Sequence, residues 1–189
     1  MILKIFEYFA QFPMRDGVVS CFANGESTLP FYNALLDKVK QYPLEGRIPN
    51  IKHYVFGADM DTVKRRVDSI PDSYLFVDFG EINSDRDYHN SIEDSLQMAV
   101  TIANKVSDST DIVERAIISD VTLSLTSLLR AHIYADSKKD NTPWLRELSF
   151  SHTIVPFISP ELNSVGWSVI FTSEAADLLN LKSMIKSLK

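Results

Sequence analysis

Residues 73–103 read SYLFVDFGEINSDRDYHNSIEDSLQMAVTIA. Leu75, Val77 and Phe79 alternate with Phe76, Asp78 and Gly80; Leu96, Met98, Val100 and Ile102 alternate with Gln97, Ala99, Thr101 and Ala103. A period of two sets one face of a pleated strand on a core and turns the other away. The stretch predicts strands at Tyr74–Gly80 and Leu96–Ala103, joined as a long hairpin by an acidic loop, Glu81–Glu93.

Directly after the hairpin, Asp111–Tyr134 has the marks of an amphipathic helix. Asp111 and Glu114 stand where a capping box places side-chain acceptors over free amides. Val113, Ile117, Val121, Leu125, Leu128 and Leu129 form the apolar stripe expected to face the sheet. On that reading Leu128→Ala costs about 2–5 kcal/mol.

Upstream, Ile2–Phe12 reads as a short helix ended by Pro13. Val18–Phe22 reads as one arm of a hairpin turned at Asn24-Gly25. Pro30–Gln41 is a helix with Phe31, Leu35, Leu36 and Val39 at helical spacing, and Lys52–Gly57 is a short strand. Asp61–Ile70 is a helix with Asp61 as its cap. Downstream, Thr142–Leu148 is a link and Phe150–Ile158 an edge strand marked by Pro156. Val165–Thr172 is a strand and Ser173–Lys189 a helix. Strands without regular helix alternation give an α+β fold: a mainly antiparallel sheet, a long β-hairpin, and one long helix on one face. The expected organisation is one domain over residues 1–189, with an extension (1–29), a core (30–172) and a C-terminal helix (173–189).

The 189 residues are 45% hydrophobic and 23% charged, a globular profile. The net charge of −6 argues against non-specific nucleic-acid binding, which needs a basic patch. The tight basic run, Lys64-Arg65-Arg66, reads first as a solvated helix face. A lone cysteine, Cys21, permits no intrachain disulfide and fits a reducing compartment. The apolar N-terminus carries Lys4 and Glu7, against a signal peptide, and no window suits a membrane span. The expected location is the cytoplasm.

No chemical signature emerges. Asp78, Glu81, Asp85, Asp87, Glu93 and Asp94 lack the spacing of a calcium loop. Asp72, Asp78 and Glu81 evoke a metal-dependent nuclease, but Ile82 and Asn83 follow where a lysine belongs. Asp78-Phe79-Gly80 is a kinase tripeptide without the rest of a kinase. His53, His89, His132 and His152 are far apart. His132 reads as a packed or rim side chain; His152 could enter a cleft beside acidic partners. No Gly-x-Ser-x-Gly elbow is present, and Trp144 and Trp167 read as packing anchors. No catalytic residue, cofactor or metal site is expected.

Four segments together carry a family likeness: PFYNALLDKVKQYP (30–43), DSYLFVDFGEINSDRDYHNSIEDSLQMAVTIANKV (72–106), STDIVERAIISDVTLSLTSLLRAHI (109–133) and VGWSVIFT (165–172). Their order resembles that of the tail-completion or tail-terminator proteins of long-tailed bacteriophages and prophages. The likeness spans residues 30–172 and rests on apolar patterns. It implies a virion-associated subunit without active site or cofactor, which forms rings and meets tail-tube or neck proteins. In such a ring, Glu81, Asp85 and Asp87 of one copy would meet Lys64, Arg65 and Arg66 of the next. The alternatives are a small metal-dependent hydrolase or nuclease using residues 78–94, and a non-catalytic protein-binding module.

Overall fold

The computed structural model describes residues 2–23, 25, 27–86, 92–139, 145 and 152–175, with backbone alone at 30, 84–86, 92–94 and 173–175. In chain order the elements are α1 (Ile2–Phe9), α2 (Arg15–Val19), α3 (Pro30–Lys40), β1 (His53–Phe56), α4 (Met60–Asp68), β2 (Tyr74–Asp78), β3 (Ile82–Arg86), β4 (Ile92–Lys105), α5 (Ile112–Ser137), β5 (Thr153–Ser159) and β6 (Ser164–Ala175). They build an α+β fold around a six-stranded sheet of order β1-β2-β4-β6-β5, with β3 also paired to β4.

The pairing is antiparallel throughout except between β1 and β2. That parallel pair is the one exception among the described strands of a mainly antiparallel sheet, as expected. It arises because α4 lies between the two strands and carries the chain back to its starting edge, as a crossover must. The cap of α4 is Asp59, not Asp61: its side chain accepts from the Thr62 amide at 3.0 Å. The expected strand at Val18–Phe22 is instead α2 and its following turn. Gly17 explains why the backbone sits so close to β1: a Cβ there would lie 1.9 Å from the Lys52 carbonyl oxygen.

The central hairpin is longer than the alternation suggested. Residues assigned to an acidic loop are strand: Ile82–Arg86 pair with Ile92–Leu96. The polar sequence of Asn83, Ser84 and Asp85 hid this, because a ribbon without a core face has no reason to alternate. Residues 87–91, with Asp87 and His89, lie outside the described residues. Between β2 and β3 the chain breaks pairing at Gly80, whose φ of +49 favours glycine. The Asp78 carboxylate accepts from the Gly80 amide at 2.9 Å and stabilises the turn.

Both faces of the sheet are covered where one was expected. Leu75, Val77, Met98, Val100, Ile102, Val169 and Phe171 meet α1 and α5 in the main core, with Ile5, Phe9, Leu129 and Ile133. Tyr74, Phe76, Val55 and Ala103 meet Val63 and Val67 of α4 on the other side. Tyr54 anchors α1 by donating from its hydroxyl to the Phe6 carbonyl at 3.3 Å. Pro156 lies inside β5, which among the described residues pairs only with β6 and so forms the expected edge. The predicted terminal helix is contradicted over its first three residues, since 173–175 extend β6; residues 176–189 lie outside the described residues. Leu145, in the expected link, is buried in the main core.

Candidate functional site

Helix α5 begins as its sequence dictates. The Asp111 carboxylate accepts from the amides of Val113 and Glu114, both at 2.9 Å. Glu114 reaches back one turn further and accepts from the amides of Ser107 and Asp108, both at 3.0 Å. The Ser107 hydroxyl, which also donates to this carboxylate, and then these amides hold its carboxyl below the ordinary glutamate value. The helix runs 26 residues and lies across β4 and β6.

Its orientation overturns the expected stripe. Val113, Ile117, Val121 and Leu128 are 67%, 60%, 49% and 45% exposed. The face turned to the sheet carries Thr122, Thr126, Leu129 and Ile133, all buried; Leu125 is half-buried beside them. Threonine is tolerated here because each hydroxyl is satisfied within the helix. Thr122 donates to the Ile118 carbonyl at 2.7 Å and Thr126 to the Thr122 carbonyl at 2.8 Å. Trp167, an anchor as expected, donates from its indole to the Ser119 carbonyl at 2.9 Å.

The outward face is continuous and nearly uncharged. Ala116, Ser124, Ser127, Ala131 and Ala135 are exposed between the large apolar residues. Asp120 is the single exposed charged residue from Val113 to Ala135. A solvated helix ordinarily carries charge along its outer side; a row of large apolar and small residues is what helix packing uses.

The C-terminal end of α5 is held by a polar cluster that the sequence reading missed. Asp136 is buried, and one carboxylate oxygen accepts from the Tyr8 hydroxyl at 2.9 Å and from Arg47 at 2.5 Å. The other accepts from Lys139 at 2.6 Å. Burial opposes the Asp136 charge, but the bonds from Arg47, Lys139 and Tyr8 outweigh it and hold the carboxyl at about 2. Burial, then the Asp136 charge, pushes the Tyr8 phenol well up. Arg47 lies over the Phe12 ring at 4.7 Å and donates to His132 Nδ1 at 3.0 Å. Since guanidinium only donates, His132 is the neutral tautomer with its proton on Nε2. Burial and then Arg47 lower its pKa, consistent with that form. One signal in the sequence pointed here: an acid in the last turn of a helix opposes the helix dipole and calls for a cation.

The remaining candidates are dispersed. Lys64 and Arg65 are exposed on α4. Arg66 turns inward, donating to the Gly17 carbonyl at 3.1 Å and to the Ser20 hydroxyl at 2.5 Å, so it braces α2 against α4. Glu81 is exposed, and its carbonyl accepts from the Gln97 amide. Asp85 stands opposite Glu93 in the β3–β4 register. His152 does line a cleft, of about 340 Å³ beside α5, and its Nε2 accepts from Arg130 Nε at 2.6 Å. The Cys21 thiol donates to the Tyr54 carbonyl at 3.1 Å, and burial raises its pKa. Among the described residues no group of three His, Cys, Asp or Glu could hold a metal ion. None of their helices is long and apolar enough to cross a membrane.

Compared with known proteins, the chain matches no family model, no curated protein and no solved structure.

Proposed function

We propose that this chain is a non-enzymatic assembly subunit, which works by binding copies of itself and neighbouring proteins, as tail-completion proteins do. The observation that carries the reading is the outward face of α5. Val113, Ile117, Val121 and Leu128 form one exposed apolar row on a helix whose ends are tied down by Asp111 and Asp136. Burying such a row against a partner releases about 25 cal/mol per Å² of apolar surface. The order of elements that resembles tail-completion proteins supplies the context: a ring that meets the tail tube.

A second surface supports head-to-tail growth. Glu81 stands just before the β3–β4 ribbon and Asp85 within it, and α4 carries Lys64 and Arg65 in the open. These charges complement one another between copies, and such contacts weaken with salt.

Sedimentation across a range of concentrations tests the reading. Self-association is expected, and Ile117→Glu with Val121→Lys should abolish it while leaving the fold intact. A monomer at millimolar concentration overturns it. Electron microscopy addresses the ring: replacing residues 83–90 by a tight turn should remove rings and leave smaller oligomers. Rings that persist take the ribbon out of the interface.

A further inference from the structure

We infer that α5 packs antiparallel against α5 of a second copy, across a two-fold axis that passes beside Ser124. The inference rests on the reading of the chain as a self-associating subunit and specifies how one of its contacts is made.

The residue sizes along the outer face carry the argument. With Ser124 placed opposite its own copy, positions equally far on either side face one another. Val121 then faces Ser127, Ile117 faces Ala131, and Val113 faces Ala135. In each of these three pairs a large apolar side chain meets a small residue, and all six are exposed in the single chain; the same register sets Leu128 beside the second copy's Asp120. Large against small is the arrangement that lets ridges enter grooves at close interaxial distance, about 8 Å. A parallel pairing would set Ile117 on Ile117 and Ala131 on Ala131, leaving clashes at one level and gaps at another.

Charge selects the same direction. The N-terminal end of α5 carries exposed Asp108 and Asp111, and the C-terminal end carries exposed Lys138 and Lys139. Antiparallel packing brings Lys138, and Lys139 beside its own Asp136, toward the partner's aspartates and sets the two helix dipoles against each other. The contact runs along a helix of 26 residues, about 39 Å. A two-fold contact closes at two subunits, so ring growth needs the separate head-to-tail surface.

The test is a Ser124→Cys variant under mild oxidation. The native thiol is removed by Cys21→Ala, or left in place if that variant misfolds, since burial already suppresses its thiolate. A disulfide-linked dimer is expected at least tenfold faster than for Ile112→Cys, which is exposed but lies off this face. The exchange Ile117→Ala with Ala131→Ile should dimerise as the wild type does, while Ala131→Ile alone weakens dimerisation at least tenfold. A wild-type chain that self-associates without the Ser124 crosslink overturns this pairing and leaves the assembly reading standing. A wild-type monomer overturns both.

Discussion

The two sides of α5 differ in a way opposite to their hydropathy. The inner side holds Thr122, Thr126 and Asp136 among Leu129 and Ile133; the outer side holds Val113, Ile117, Val121 and Leu128. The difference teaches that burial follows satisfied polarity and shape as well as apolar area. A threonine that bonds its own helix presents little more than a methyl group to the sheet. A carboxylate that gathers Tyr8, Arg47 and Lys139 is more secure inside than in water. Among the described residues the apolar row is left on the outer side of α5.

The sharpest way to break the comparison is Asp136→Ala. It removes the acceptor that Arg47 and the Tyr8 hydroxyl share, and a loss of about 3–5 kcal/mol is expected in urea unfolding. The same group sets an acid limit. Its folded pKa, about 2, lies below the ordinary 3.8, so its contribution is complete above the ordinary value. That contribution shrinks as pH falls and is gone below about 2. Unfolding midpoints between pH 5 and pH 2 should fall less steeply in Asp136→Asn than in the wild type.

Next in size is a neighbouring pair. Leu129→Ala should cost about 2–5 kcal/mol, because that side chain is fully buried. Leu128→Ala, one residue away and 45% exposed, should change monomer stability by about 0.5 kcal/mol or less. Equal losses at the two positions would mean that the helix is rotated from the orientation described. The smallest expected effect is at Thr126→Val. Its hydroxyl is satisfied locally and its shape is kept, so a change within about 1 kcal/mol is expected in thermal unfolding. A loss of several kcal/mol would mean that the hydroxyl bonds the sheet rather than its own helix.

These contrasts mark where sequence reading stops. The hairpin core was legible because Leu96, Met98, Val100 and Ile102 alternate without interruption and all four are buried. The extent of α5 was legible because Asp111 and Glu114 announce its start. Its rotation was not, since Ile117 and Leu129 lie on different sides of a helix with apolar residues on both. The β3 strand was hidden by its polarity. The cluster at Asp136 was hidden by distance, as Tyr8 and Asp136 are 128 positions apart. Lys64 and Arg65 stand in the open as a solvated face predicts, while Arg66 is spent inside the molecule.

That same separation has a consequence for synthesis. Phe6 of α1 packs on Phe22, Tyr54 and Phe56, which leave the ribosome soon after it. Tyr8 must wait for Asp136, 128 positions later. At about 5–20 residues per second, that delay is roughly 6–26 seconds. During it, one flank of an apolar helix stands uncovered on the nascent chain, within reach of whatever holds unfinished proteins apart.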